Sequence, residues 1–457
     1  MNRFAFGAAS FFLKNLYYLS KAKVEINGTE NILKGSVIFT INHFTRVETL
    51  ILPYHIEKIT KKPVWSLAWH GLFKGALSEF LEKSGALSTR DPNRDKLILN
   101  KLLTNRANWI IFPEGSMIKT KKVLNNGDYE IVTSDGVSRP RTGAANFALR
   151  SEFYRQRLKW LKNNNINEFQ RIKNNFGIPL DFDPDFDEET FIVPVNLTYY
   201  PIRARENAVN RLASYFVDTI SDKINEEIMT EGAMLLDGVD IDIRFGNPIK
   251  ISPYLDDPII RSDIESSEKF DFDDNISSLR VLRENSVKIM YRYMSTIYGM
   301  TTVNHDHIFS YILKYMPFEK IDPLDFKMRA YLAAETDIDP ERLFLHKALK
   351  QNQISLLTDD RFLKFCEFIE FCMEKDIVKL DDGKIIKNNE KIYLPENSDD
   401  FRKINPVAVF ANEIEPLIVL GPHLERLSKE SSTDIKRRVV AHILKKHSKS
   451  FKNDFDY

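Results

Sequence analysis

The chain has 457 residues, 43% of them apolar, enough for two to three domains with real cores. Its 65 basic residues balance 65 acidic ones, which leaves no net positive charge of the kind that marks a nucleic-acid binder. Two cysteines, Cys366 and Cys372, make no disulfide framework and read as reduced core residues of a cytosolic protein.

The first 23 residues carry Arg3, Lys14, Lys21 and Lys23, no acid, and a run of aromatic and apolar residues from Phe4 to Leu19. This pattern predicts a basic, aromatic helix at a membrane interface. It lacks both the length of a membrane span and the small-residue cleavage site of a signal peptide. Val37 to Ile41 is β-branched and apolar and predicts a buried strand that ends at Asn42-His43. Arg46 to Ile59 predicts a helix kinked or interrupted by Pro53. Strands follow at Pro63 to Ala68, Ala86 to Ser88 and Asn108 to Phe112, with helices at Phe73 to Lys83 and Asn93 to Thr104. Asp91-Pro92 suits the start of that last helix.

Residues 119 to 141 read as a polar loop, and a helix starts at Gly143. Residues 151–190 read as an insertion, with a helical half and then an acidic run from Asp181 to Glu189, taken as a solvated loop without metal. Phe191 to Tyr199 and Val239 to Phe245 predict later strands, with helix between them over Ala208 to Glu231. Ser262 to Asn275 reads as a linker or flexible loop, and Leu279 to Ile297 as a helix. Alternating strands and helices imply an α/β domain over 24–300, with a mostly parallel sheet and flanking helices.

Residues 301–457 predict a mainly helical domain of unknown role. Helices are expected at Phe309 to Tyr315, Asp325 to Ala334, Pro340 to Lys350, Asp360 to Glu374 and Ile414 to Leu427, with a hairpin around Asp382-Gly383. Helices followed by a hairpin are similar to a winged-helix layout. Asn304-His305-Asp306-His307 reads as a helix N-terminal cap rather than a metal cluster. No nucleic-acid partner is expected, because charges of both signs mix along this part.

Chemistry concentrates in two segments. His43 and Glu48 lie five residues apart, just after one apolar strand. Phe112-Pro113-Glu114-Gly115-Ser116 follows another, about seventy residues later. A histidine oriented by an acid can take a proton from a hydroxyl. A Glu-Gly-Ser turn can offer backbone N–H groups to a phosphate or an oxyanion. Sites in open α/β sheets gather beyond the carboxyl ends of strands, where His43, Arg90 and Glu114 all fall. Together these residues suggest a transferase acting on an alcohol that carries an anionic group.

These segments resemble the glycerophospholipid acyltransferases, the family of glycerol-3-phosphate and lysophosphatidic acid acyltransferases. The family's Asn-His block followed by an acid is similar to Asn42-His43 with Glu48; its glycine-to-arginine block is similar to Gly85 through Arg90. Phe-Pro-Glu-Gly is present unchanged at Phe112 to Gly115, and Val193-Pro194-Val195 is similar to the fourth block. Arg244 to Ile249 resembles the strand that closes such domains. The resemblance covers roughly residues 20 to 260 and implies an acyltransferase-like fold. It implies transfer of a fatty acyl group from a coenzyme A or carrier-protein thioester to a glycerophosphate or lysophospholipid hydroxyl. No cofactor beyond the donor is implied, and the place of work is the cytoplasmic face of a membrane. His43 is then the general base and Glu48 its orienting acid. Arg90, Glu114, Gly115 and Ser116 bind substrate.

Two departures stand out. Glu48 replaces the usual Asp, and Ser116-Met117-Ile118-Lys119 stands where the family shows Thr-Arg-Ser, with Lys119, Lys121 and Lys122 as the nearby sources of positive charge. They keep an alternative open: a non-catalytic lipid-binding or scaffold protein on an acyltransferase fold.

Overall fold

The computed structural model describes residues 23–453 except 46–47, 74–84, 134–135, 180, 185, 203–237, 272–273, 340 and 394–404. The expected interfacial helix over 1–23, the helix over Phe73 to Lys83 and the one over Ala208 to Glu231 lie largely or wholly outside the described residues. The chain forms two compact units, Met1–Met117 with Ser138–Tyr298, and Ile118–Val137 with Gly299–Tyr457.

The first unit is built on one sheet. Its strands are β1 (Val24–Asn27), β2 (Ser36–Ile41), β3 (Val64–Ala68), β4 (Ala86–Ser88), β5 (Asn108–Ile111), β6 (Thr190–Tyr200), β7 (Asp240–Phe245) and β8 (Ile249–Lys250). The order is β1-β7-β6-β2-β5-β3-β4, with β8 added on β6. Pairings are parallel except where β6 meets β7 and β8, so the sheet is mixed and mostly parallel. Every residue of β2, β5 and β6 is buried, as expected of strands covered on both faces.

Flanking helices are α1 (Glu48–Thr60), α2 (Arg94–Leu103), α3 (Gly143–Asn164), α4 (Ile166–Asn175), α5 (Pro258–Ile264) and α6 (Leu279–Gly299). Pro53 sits inside α1 without ending it. α3 runs unbroken to Asn164 and packs on α2 and β6. Its polar residues find partners far along the chain. Arg155 is buried and donates from Nη2 to Ser36 Oγ at 3.0 Å and to Leu102 O at 2.9 Å, at the carboxyl end of α2 where a cation is favoured. Glu152 accepts from Thr190 N–H at 3.0 Å, holding the start of β6. The segment after α5 is likewise no free linker, because Arg157 donates to the carbonyls of Asp263, Ser266 and Glu268 at 2.6, 2.8 and 2.7 Å. In the acidic run, Asp183 pairs with Lys162 and Lys173 at 2.7 and 3.0 Å.

The second unit contains α7 (His305–Tyr315), α8 (Pro323–Leu332), α9 (Leu363–Glu374), α10 (Pro406–Ile414), α11 (Leu420–Lys429) and α12 (Ser432–Asn453). Strands at Lys320–Ile321, Val378–Asp381 and Lys384–Lys387 form a small antiparallel sheet. The capping box at Asn304 and His307 opens α7. The expected helix over Pro340 to Lys350 is absent among the described residues, which hold only a short 3-10 turn at Lys347–Leu349. The expected helix from Ile414 is two helices, α10 and α11, broken at Glu415 to Val419. Cys372 is buried on α9 and Cys366 is half-buried.

Residues 119–141 are not the plain loop expected. Four short strands lie between Leu124 and Ser138, and Lys119, Thr120 and Lys121 are buried. Lys121 pairs with Glu413 at 2.5 Å, and Lys122 with Glu415 at 2.6 Å. His307 Nε2 also meets Glu413, at 3.0 Å.

Candidate active site

The site lies beyond the carboxyl ends of β2 and β5, adjacent strands of the sheet. β2 delivers Asn42 and His43. Asn42 clips this end to β6, donating from Nδ2 to Leu197 O at 3.0 Å and accepting from Leu197 N–H at 2.8 Å. β5 delivers Phe112, whose ring stacks on the His43 imidazole with centroids 4.2 Å apart.

His43 Nδ1 lies 2.9 Å from Glu48 Oε2. That partner is an ionisable carboxylate, so Nδ1 carries the proton in the neutral ring and Nε2 is left as the acceptor. Among the described residues Nε2 has no hydrogen-bond partner. Glu48 is fully buried at the first residue of α1. Its carboxylate also accepts from the N–H groups of Phe44 and Thr45 at 3.0 Å each, and from Tyr199 Oη–H at 3.2 Å. The extra methylene relative to Asp is absorbed by this fold-back, which engages both oxygens.

Glu114 joins the two segments. It is 1% exposed, and its Oε2 accepts from the His43 backbone N–H at 2.6 Å, while Oε1 accepts from Tyr298 Oη–H. Burial pushes its carboxyl up to about 8 against the pull of the Tyr298 hydrogen bond; the charge of Glu48 adds to the rise and the His43 N–H opposes it. Gly115 has φ 77°, a left-handed conformation that glycine adopts at no steric cost, and its N–H closes a turn on Phe112 O at 3.1 Å. Gly115 and Ser116 are exposed.

The structure thus brings together His43, Glu48 and Glu114, with Gly115 and Ser116 on the adjoining turn. Arg90 is exposed at the end of β4, two strand spacings from β5, or roughly 10 Å. It shares the edge of the sheet but not the cluster. Lys121 and Lys122 belong to the second unit, where they pair with Glu413 and Glu415. Tyr199 and Tyr298 are additions that the sequence does not reveal. Tyr298 meets Glu114 across 184 residues of chain, and no local pattern announces such a contact. In its neutral form the imidazole is held in one tautomer, and its Nε2 can take a proton from a hydroxyl.

No protein-family model matches the chain, and no curated protein matches it. Among solved structures, it has a distant likeness to the 1-acyl-sn-glycerophosphate (LPA) acyltransferase PlsC from Thermotoga maritima. That likeness is at 11% identity and TM-score 0.30, over 62% of this chain and 79% of that one.

Proposed function

We propose that this chain is an O-acyltransferase that moves a fatty acyl group from a thioester of coenzyme A or acyl carrier protein to the hydroxyl of a glycerophosphate or lysophospholipid. The observation that carries the reading is the His43–Glu48 pair at 2.9 Å, with no partner on Nε2 among the described residues. The match of Asn42-His43 and Phe112 to Gly115 to the motifs of glycerophospholipid acyltransferases supports the substrate class.

In this mechanism the acceptor O–H gives its proton to His43 Nε2 as its oxygen bonds to the thioester carbonyl carbon. The tetrahedral oxyanion collapses, the C–S bond breaks, and the leaving sulfur takes the proton back from His43. Glu48 holds the tautomer and stabilises the imidazolium, as the acid of a triad does. Glu114 holds the His43 backbone and shapes the turn. Arg90 sits farther along the sheet edge, in reach only of a distal part of a long substrate. The fully engaged Glu48 carboxylate removes one motive for the alternative, a scaffold that has lost turnover.

Work at the cytoplasmic face of a membrane goes with such a lipid substrate. No helix among the described residues is long and apolar enough to cross a membrane. For the second unit, the order α7, strand, α8, α9, hairpin supports a winged-helix-like layout. The test is product formation from long-chain acyl-CoA with glycerol-3-phosphate or with lysophosphatidate. An ester product with either acceptor identifies it; no product with either, nor with acyl carrier protein as donor, overturns the reading.

A further inference from the structure

We propose that Arg141 is the phosphate-binding residue of the His43 site. Its side chain lies across the Glu-Gly-Ser turn, so close that a methyl group on Gly115 would come within 3.2 Å of Nε and 3.3 Å of Cγ. Its backbone is held at both ends: the N–H donates to Pro113 O at 2.6 Å, and the carbonyl accepts from the buried Tyr293 hydroxyl at 2.6 Å. Yet the residue is exposed, and its guanidinium forms no ion pair among the described residues. The neighbouring carboxylate cannot neutralise it, because Glu114 is buried and engaged with His43 and Tyr298. Lys121 and Lys122, the nearby cations in sequence, are paired with Glu413 and Glu415.

A fixed backbone, with a forked cation that has no ion pair among the described residues and lies over the residue next to Glu114, is suited to a phosphate monoester. A side chain on Gly115 would press on the arginine stem, which would have to give by a few tenths of an ångström. The phosphate can belong to the acceptor or to the donor's coenzyme A. The substrate class rests on the acyl-transfer reading, but binding does not require turnover.

The experiment is calorimetric titration of the full chain with glycerol-3-phosphate, with coenzyme A and with uncharged glycerol, for native protein, Arg141→Ala and Arg141→Lys. Acyl transfer is followed in parallel. Arg141→Ala should weaken binding of at least one phosphate compound by roughly tenfold to a hundredfold, the scale of a charge-assisted contact. Arg141→Lys should recover part of it, and the compound affected names the source. Because the side chain is exposed, the melting temperature of Arg141→Ala should stay near native. Unchanged affinity for both phosphates in Arg141→Ala overturns the proposal, as does a native chain that binds neither. Loss of phosphate binding in a chain with no turnover upholds the Arg141 site and sinks the acyltransferase reading instead.

Discussion

The backbone N–H of His43 donates to the carboxylate of Glu114 at 2.6 Å, joining two motifs 71 residues apart. The imidazole is therefore fixed twice, through its ring by Glu48 and through its backbone by Glu114. A base held on both sides loses little entropy when a substrate arrives.

The Glu48 contacts predict graded losses. Glu48→Ala should lower the acyl-transfer rate by about a hundredfold or more, since the imidazole loses its orienting acid. Glu48→Asp is one methylene shorter and cannot reach His43 Nδ1, Thr45 N–H and Tyr199 together, so a loss of about tenfold is expected. Rates with a saturating acceptor check both. Equal activity of Glu48→Ala and native protein would remove Glu48 from the mechanism.

Glu114 predicts a pH dependence of stability. Its folded-state pKa is raised from 4.5 to about 8, so the folded protein holds a proton that the unfolded chain has released. The stabilisation from that proton is present below about 4.5 and is lost as pH rises through about 8. Relative to Glu114→Gln, the native protein should lose stability over that window by at most about 1.4 kcal/mol per pH unit. Denaturant midpoints of the two proteins from pH 5 to 8 check this. A constant difference would show that Glu114 is ionised throughout.

Gly115→Ala forces a side chain into a left-handed turn and against the Arg141 stem. A cost of about 1–2 kcal/mol is expected, with a fall in acyl transfer larger than the fall in stability alone explains. Thermal melts and rates taken side by side separate the two effects.

In the second unit, burial raises the Glu413 carboxyl, but Lys121 and His307 outweigh it and hold it at about 2. Its contribution is present above the ordinary carboxylate range and is lost as pH falls through about 2. Glu413→Gln removes the carboxylate that pairs with buried Lys121 and His307 and should cost about 3–5 kcal/mol at neutral pH, shrinking in acid. Lys121→Met combined with Glu413→Leu should restore much of that loss. A single variant as stable as native would show that Lys121 finds water or another partner.

What could be read in the sequence was local. Val37 to Ile41 and Asn108 to Phe112 are short β-branched or apolar runs, and both form buried strands that end at His43 and at the Glu114 turn. The Asn304 cap sits where a helix begins. What could not be read depends on distant partners. The burial of Arg155, Arg157 and Glu152 on α3 could not be read, because it rests on carbonyl and N–H groups far along the chain. Lys121 reads as a surface cation until Glu413 is placed beside it, and Arg141 as loop polarity until Gly115 lies beneath it.

The most direct test of the central claim is release of free thiol from long-chain acyl-CoA in the presence of acceptor, comparing native protein with His43→Ala. The account predicts acceptor-dependent release that falls by about a hundredfold or more in the variant, with its fold intact by circular dichroism. Equal release by both proteins would contradict it, because a proton would then leave the acceptor without His43.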